Sequence, residues 1–198
     1  MMRGLIMALC LLAQCAVAQE YPALHAVTGV TSDDVLNIRE RPDADSSILG
    51  TLPPDATGVE VIAVNDGWAV VNGPELTGYV ALRFLAREAG PAWNSLEVPL
   101  TCLGTEPFWS LALDPATGVA TLNTPEDPEG RALALGQTWP GAMWAPAAAV
   151  SLPDGMAVLY PAECSDGMSD RSYGIAADLF LTGPDRPRLS GCCLLDLP

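Results

Sequence analysis

From Val35 to Leu85 the chain sets short apolar runs between turn-forming residues, a rhythm that suits strands and little else. Val59, Val61 and Ala63 alternate with Glu60 and Ile62, the period of two that sends successive side chains to opposite faces of a sheet. Asn65-Asp66-Gly67 is a tight hairpin signal, because its glycine is free to take positive φ. Trp68-Ala69-Val70-Val71 would return from that turn. Gly78-Tyr79-Val80 would begin a last strand, packed down by Phe84-Leu85. Glycine and proline number 18 each and punctuate the rest of the chain in the same way. Helical periodicity is nearly absent after the first residues, so the expected fold class is all-β.

The second half continues the pattern. Phe108 to Leu113 reads as a strand, Asp114-Pro115-Ala116-Thr117-Gly118 as a turn, and Val119 to Leu122 as the returning strand. Arg131 to Leu135 alternates through Leu133 and Leu135. Trp144 to Val150 fits either a strand or one short helical turn, because of its alanine run. Met156 to Tyr160 leads towards Cys164. Ile175 to Leu181 and Arg188 to Leu194 form a final hairpin around Thr182-Gly183-Pro184-Asp185. About seven short strands at this spacing predict a closed antiparallel barrel or a tight sandwich.

The first residues predict export. Met1-Met2-Arg3 is a short positive start, Gly4 to Ala13 is an apolar run too short to span a bilayer, and Ala16-Val17-Ala18 is an A-x-A cleavage site. The mature chain would begin at Gln19 and be periplasmic or secreted, with no membrane span. Leu12-Ala13-Gln14-Cys15 vaguely resembles a lipobox, but Gln14 is bulky where such sites want a small residue, so lipidation is not expected. About 180 residues would remain, enough for one or two small domains. Net charge is −15 and there is no lysine. Such a chain repels phosphate backbones, which argues against nucleic acid, and attracts cationic proteins; diffuse negative charge also simply aids solubility.

Cys10 and Cys15 would leave with the signal. Cys102, Cys164, Cys192 and Cys193 remain, an even number that predicts two disulfides in an exported chain. With no C-x-x-C pair and with His25 as the lone histidine, no metal or other cofactor is expected. Adjacent cysteines on a strand point to opposite faces, so Cys192 and Cys193 would each reach a different partner, one Cys102 and the other Cys164. The sequence leaves open which goes with which.

The run Val-Leu-Asn-Ile-Arg-Glu-Arg-Pro from Val35, then Ile-Leu-Gly-Thr-Leu-Pro-Pro-Asp from Ile48, Asp66-Gly67-Trp68 and Gly78-Tyr79-Val80 together resemble a bacterial SH3 domain. Pro53-Pro54-Asp55 stands where that family's pattern has a glycine-containing turn. The resemblance implies a small β-barrel used for binding, with peptidoglycan, its stem peptides or an envelope protein as partner. Asn37, Arg39, Trp68 and Tyr79 match its pattern positions and are candidate ligand contacts. Read from the residues alone, Leu36 and Ile38 face the core and Asn37 and Arg39 face outward. Trp68 would line a groove or fill the core, and Arg39 would contact ligand or donate to backbone carbonyls.

Three further strings are Cys102-Leu-Gly-Thr-Glu-Pro-Phe-Trp109, Cys164-Ser-Asp-Gly-Met-Ser-Asp-Arg-Ser-Tyr173 and Leu189-Ser-Gly-Cys-Cys193. They resemble a family of exported bacterial proteins and lipoproteins without an established function. In that family a proline often follows the tyrosine, where this chain has Gly174. Asp166-Gly167 and Ser169-Asp170 are turn formers whose side chains can cap backbone N–H groups. Arg171 could bridge Asp166, Asp170 or Glu106 and fix the loop. The alternative is a binding pocket made by Glu106, Trp109, Asp170, Arg171 and Tyr173.

The expected organisation is a signal peptide at 1–18, a leader at 19–34 with a strand near Ala23 to Val30, an SH3-like unit at 35–87, a linker at 88–99 and a cysteine-containing β domain at 100–198. The expected function is binding in the cell envelope. A second possibility is inhibition of a cationic lysozyme-type enzyme, which the charge would suit. A cell-wall-acting enzyme using Glu106 with Asp166 is the least favoured, because the chain has no nucleophile–base set, no G-x-S-x-G and no phosphate loop.

Overall fold

The structure, a computed structural model, describes residues 21–73, 76–182 and 188–195. The expected signal peptide with its cysteines and cleavage point, and the centre of the turn at 183–185, lie outside the described residues. The described chain is nearly all β, in two antiparallel sheets with two disulfides. None of its helices is long and apolar enough to cross a membrane.

The first sheet has seven strands: β1 (Ala23–Val27), β2 (Leu36–Arg39), β3 (Ile48–Leu52), β4 (Val59–Asn65), β5 (Trp68–Asn72), β6 (Thr77–Ala81) and β7 (Leu85–Arg87). Their order is β3-β2-β6-β5-β4-β1-β7. The strand expected near Ala23 to Val30 is β1, and it pairs with β4 on one side and β7 on the other. The sheet therefore begins within the segment expected as a leader. Leu36, Ile38, Val61, Ala69, Val71, Val80 and Leu85 close over one core. Burying each of the larger ones is worth about 1.5–3 kcal/mol. Asp66 and Gly67 both have positive φ, as the hairpin signal requires. Strand β3 is an edge, with Ile48 and Leu49 exposed.

Strict alternation fails in β4. The register slips between Val61 and Ala63, so Val61 and Ile62 are both buried and Ala63 is exposed. A bulge re-aims the strand there: Val61 serves its own core while Ile62 turns to the second unit.

The second unit holds β8 (Leu100–Thr105), β9 (Phe108–Asp114), β10 (Val119–Thr124), β11 (Asp127–Ala134), β12 (Thr138–Trp139), β13 (Ala148–Leu152), β14 (Gly155–Cys164), β15 (Tyr173–Leu181) and β16 (Arg188–Leu195). Consecutive strands pair antiparallel except β11 and β12, which stand at opposite margins, and β16 returns to pair with β8. Strands β11 and β12 run in the same direction along one stretch of chain. Leu135 N–H still donates to Gly118 O beside β10, whereas Gly136 N–H donates to Ser151 O on β13. That stretch changes partner at Leu135–Gly136 and so joins both margins of the sheet, curling it into an up-and-down barrel. Two strands, β8 and β12, exceed the seven runs visible in the sequence, and Trp144 to Val150 forms no helix; β13 begins at Ala148.

Inward residues of every strand but β12 and β14's second half meet in one core around Leu100, Leu111, Leu159, Ile175 and Leu179. The expected linker contributes to it. Trp93, in a 3-10 turn at Trp93–Ser95, is buried in this core with Leu96, and its Nε1–H donates to Tyr21 O at 3.2 Å. Cys102 and Cys193 are bonded inside the barrel, and Cys164 and Cys192 on its outer face. Alternation along β16 places the adjacent cysteines on opposite faces, as expected.

Candidate functional site

Three of the four candidates in the first unit come together. Asn37 and Arg39 lie on the outward face of β2, and Trp68 starts β5. All three line one cleft of about 310 Å³, with Asp34, Arg83 and Phe84 around it. Trp68 is half-buried and opposes Ala81 across β5 and β6. Arg39 Nη1–H donates to Ser46 O at 2.8 Å, which anchors the guanidinium with donors to spare. Asp34 Oδ1 accepts Val35 N–H at 2.8 Å. Arg83 stacks on the Phe84 ring at 4.5 Å. Tyr79 opposes Arg39 in the register on the same outward face but does not line the cleft.

The contributions of Arg83 and Phe84 were missed in the sequence. Phe84 looked like a residue that packs the last strand down. A 3-10 turn at Leu82–Phe84 lifts both side chains to the cleft instead, and no local periodicity marks such a turn.

The second unit's candidates are divided between two places. Asp166 organises the first. Its Oδ1 accepts Met168 N–H at 3.0 Å and Ser169 N–H at 2.9 Å, and its Oδ2 accepts Ser169 Oγ–H at 2.8 Å and Tyr173 O–H at 3.2 Å. Partial burial works to raise the Asp166 pKa, but these donors overcome it and hold the carboxyl at about 2. A general acid needs the opposite shift. Tyr173 is buried, and burial pushes its phenol up. Thr105 Oγ1–H donates to Asp166 O at 3.0 Å, which brings the first two signature strings together. Glu106 is exposed in the turn between β8 and β9. Phe108 and Met168, both exposed, flank a shallow groove on the outer wall there.

Trp109 faces the barrel interior, 4 % exposed. Its indole lies over the backbones of Gly104 and Gly191, where a Cβ on either glycine would strike the ring. The glycines of two signature strings thus leave room for the tryptophan of one.

Arg171 and Tyr173 line a different cleft, between the two units. The bridges expected from Arg171 to Asp166, Asp170 or Glu106 are absent among the described residues. Asp166 is saturated by nearer donors, and Asp170 is exposed and joins the units through its backbone. Its carbonyl accepts Thr77 N–H at 3.0 Å. Ser172 N–H donates to Thr77 Oγ1 at 2.7 Å, and Asn72 Nδ2–H donates to Ser172 O at 2.9 Å. Glu60 Oε1 accepts Leu195 N–H at 3.1 Å. Among the described residues no group of three or more His, Cys, Asp or Glu could hold a metal ion.

No curated protein and no solved structure matches the chain. The stretch that builds the first cleft is another matter: residues 34–86 match the family model of the bacterial SH3 domain.

Proposed function

We propose that this protein holds a cell-envelope ligand in the cleft of its SH3 unit, with a peptidoglycan stem peptide as the first candidate and an extended segment of an envelope protein as the second. The observation that carries the reading is the meeting of Asn37, Arg39 and Trp68 in one cleft, with Arg83 beside them. In a chain of net charge −15, a cleft with two guanidinium groups is a local exception. Guanidinium forks suit the carboxylates of a stem peptide, an amide side chain suits its backbone, and a half-buried indole offers apolar contact with a wet rim. The two disulfides support action in an oxidising compartment outside the cytoplasm. Binding without turnover is the reading, because the best-placed carboxylate of the second unit, Asp166, is committed to four donors.

Co-sedimentation of the purified protein with cell-wall sacculi tests it. The wild type should be retained, and Trp68→Ala and Arg83→Ala should each weaken retention about tenfold, the size expected of a residue worth about 1–2 kcal/mol at a contact. Retention unchanged in both variants would remove the cleft from the interaction. Capture of a cationic lysozyme-type enzyme draws on net charge alone; a lysis assay without protection at large molar excess ends it.

A further inference from the structure

We infer that the cleft between the two units is a second binding site, built for an aliphatic molecule that carries a carboxylate, with Arg171 as the residue that receives it. This goes beyond the SH3 cleft and does not depend on it.

The cleft has a volume of about 490 Å³, within the range of small-molecule sites, and it lies at a junction of two units, where such sites recur. Leu52 and Val59 line it from the first unit, Leu194 and Tyr173 from the second. These give it apolar walls. Arg171 supplies the charge. Its Nε is buried and has no hydrogen-bond partner, and neither of the two ion pairs among the described residues involves it. A buried donor left unmade costs about 1–3 kcal/mol, more where the group is charged. Its neighbours are not short of partners: Ser169 accepts Arg171 N–H, the Asp170 carbonyl accepts Thr77 N–H, and Ser172 is tied to Asn72 and Thr77. The segment is therefore held on both sides of a guanidinium whose Nε lacks an acceptor.

The acidic residue in the lining is Glu60, and its Oε1 is engaged by Leu195 N–H. A ligand carboxylate would pair with the part-exposed end of Arg171, whose fork can offer two parallel N–H bonds. The aliphatic part would then lie against Leu52, Val59 and Leu194. A fatty acid and the C-terminus of an apolar peptide share this chemistry.

Calorimetric titration of the full mature chain tests the site with octanoate in one arm and N-acetyl-leucyl-leucine in the other. Octanol and the amide-capped dipeptide serve as comparators that lack the charge. At least one carboxylate should bind, its uncharged comparator should bind at least tenfold more weakly, and binding should shift the Arg171 Nε–H resonance. Arg171→Gln should lose that binding and Arg171→Lys should keep part of it, since a lysine restores charge without the fork. The capped comparators need no variant, so a poorly folded Arg171→Gln leaves the outcome readable. Absence of binding in both arms, or equal binding of charged and capped forms, overturns the inference. Which arm binds identifies the source of the carboxylate.

Discussion

Gly174 lies against Pro22. A Cβ at position 174 would stand 2.6 Å from the proline Cγ and 3.1 Å from Ile62 Cγ2. The bare backbone of β15 thus lets the first unit sit directly on the outer wall of the second. Gly174→Val should force the units apart locally and cost about 1–3 kcal/mol, the usual range for overpacking. Chemical denaturation of the whole chain would read this as a lower midpoint; an unchanged midpoint would mean that the contact is loose in solution.

Trp109 and Gly191 make a second test of close packing. A Cβ on Gly191 would collide with the Leu103 carbonyl and approach Trp109 Cζ2 at 2.8 Å. Backbone cannot yield as a flexible side chain does, so Gly191→Ala should cost at least about 3 kcal/mol, at the upper end for such changes. Near-ultraviolet circular dichroism, which reports the fixed environment of the indoles, should weaken with the melting temperature.

Much of this was legible in the residues. Turn signals at Asp66-Gly67 and Asp114 to Gly118 found their hairpins, and the adjacent cysteines forced two-faced bonding. Two kinds of feature were not legible. The bulge turns Ile62 towards Gly174 of the second unit, a contact that local alternation does not reveal, and leaves Ala63 exposed. The cleft of Arg171 needs Val59 and Leu194, residues of separate units, and sequence spacing says nothing of that meeting. The sequence offers Trp109 for an alternative pocket because an aromatic side chain in a signature string is equally at home in a core or a groove; its burial against Gly104 and Gly191 places it in the core.

His25 is buried, and its Nδ1–H donates to Ala23 O at 2.9 Å. Burial lowers its pKa below the ordinary 6.5, outweighing the backbone bond that raises it. The neutral ring is favoured in the folded state, so its contribution is complete above pH 6.5 and is lost as pH falls through the lower folded value. Melting temperature should decline from about pH 6.5 downward, and His25→Phe should flatten that part of the profile.

Asp166 acts in a lower window. Its carboxyl is held at about 2 against an ordinary 3.8, so its contribution is complete above pH 3.8 and is lost as pH falls towards 2. The carboxyl carbon resonance of Asp166 should titrate at about 2. Asp166→Asn should reduce the pH dependence of stability between 4 and 2, and amide exchange at Met168 and Ser169 should quicken.

The two disulfides should differ in access and in worth. Cys102 and Cys193 are both buried in the barrel core, whereas Cys164 is part-exposed on the outer face. Under native conditions a mild reductant should free Cys164 and Cys192 first, as alkylation followed by mass spectrometry would show. The sequence separations are 91 and 28 residues. Chain entropy then assigns about 4–5 kcal/mol to the inner bond and about 3–4 kcal/mol to the outer one. Replacing Cys102 and Cys193 by alanine should therefore be the more damaging pair of substitutions.

Strand β3 leaves one flank of the first sheet open, and Ile48 and Leu49 stand on it without a lysine or proline to guard them. Such a flank is a template on which a second copy can dock strand against strand. Mutual repulsion between two bodies of charge −15 opposes that docking, and its reach shrinks to about 8 Å in physiological saline. Any strand-to-strand pairing of copies at this flank should therefore be weaker in dilute buffer than in brine.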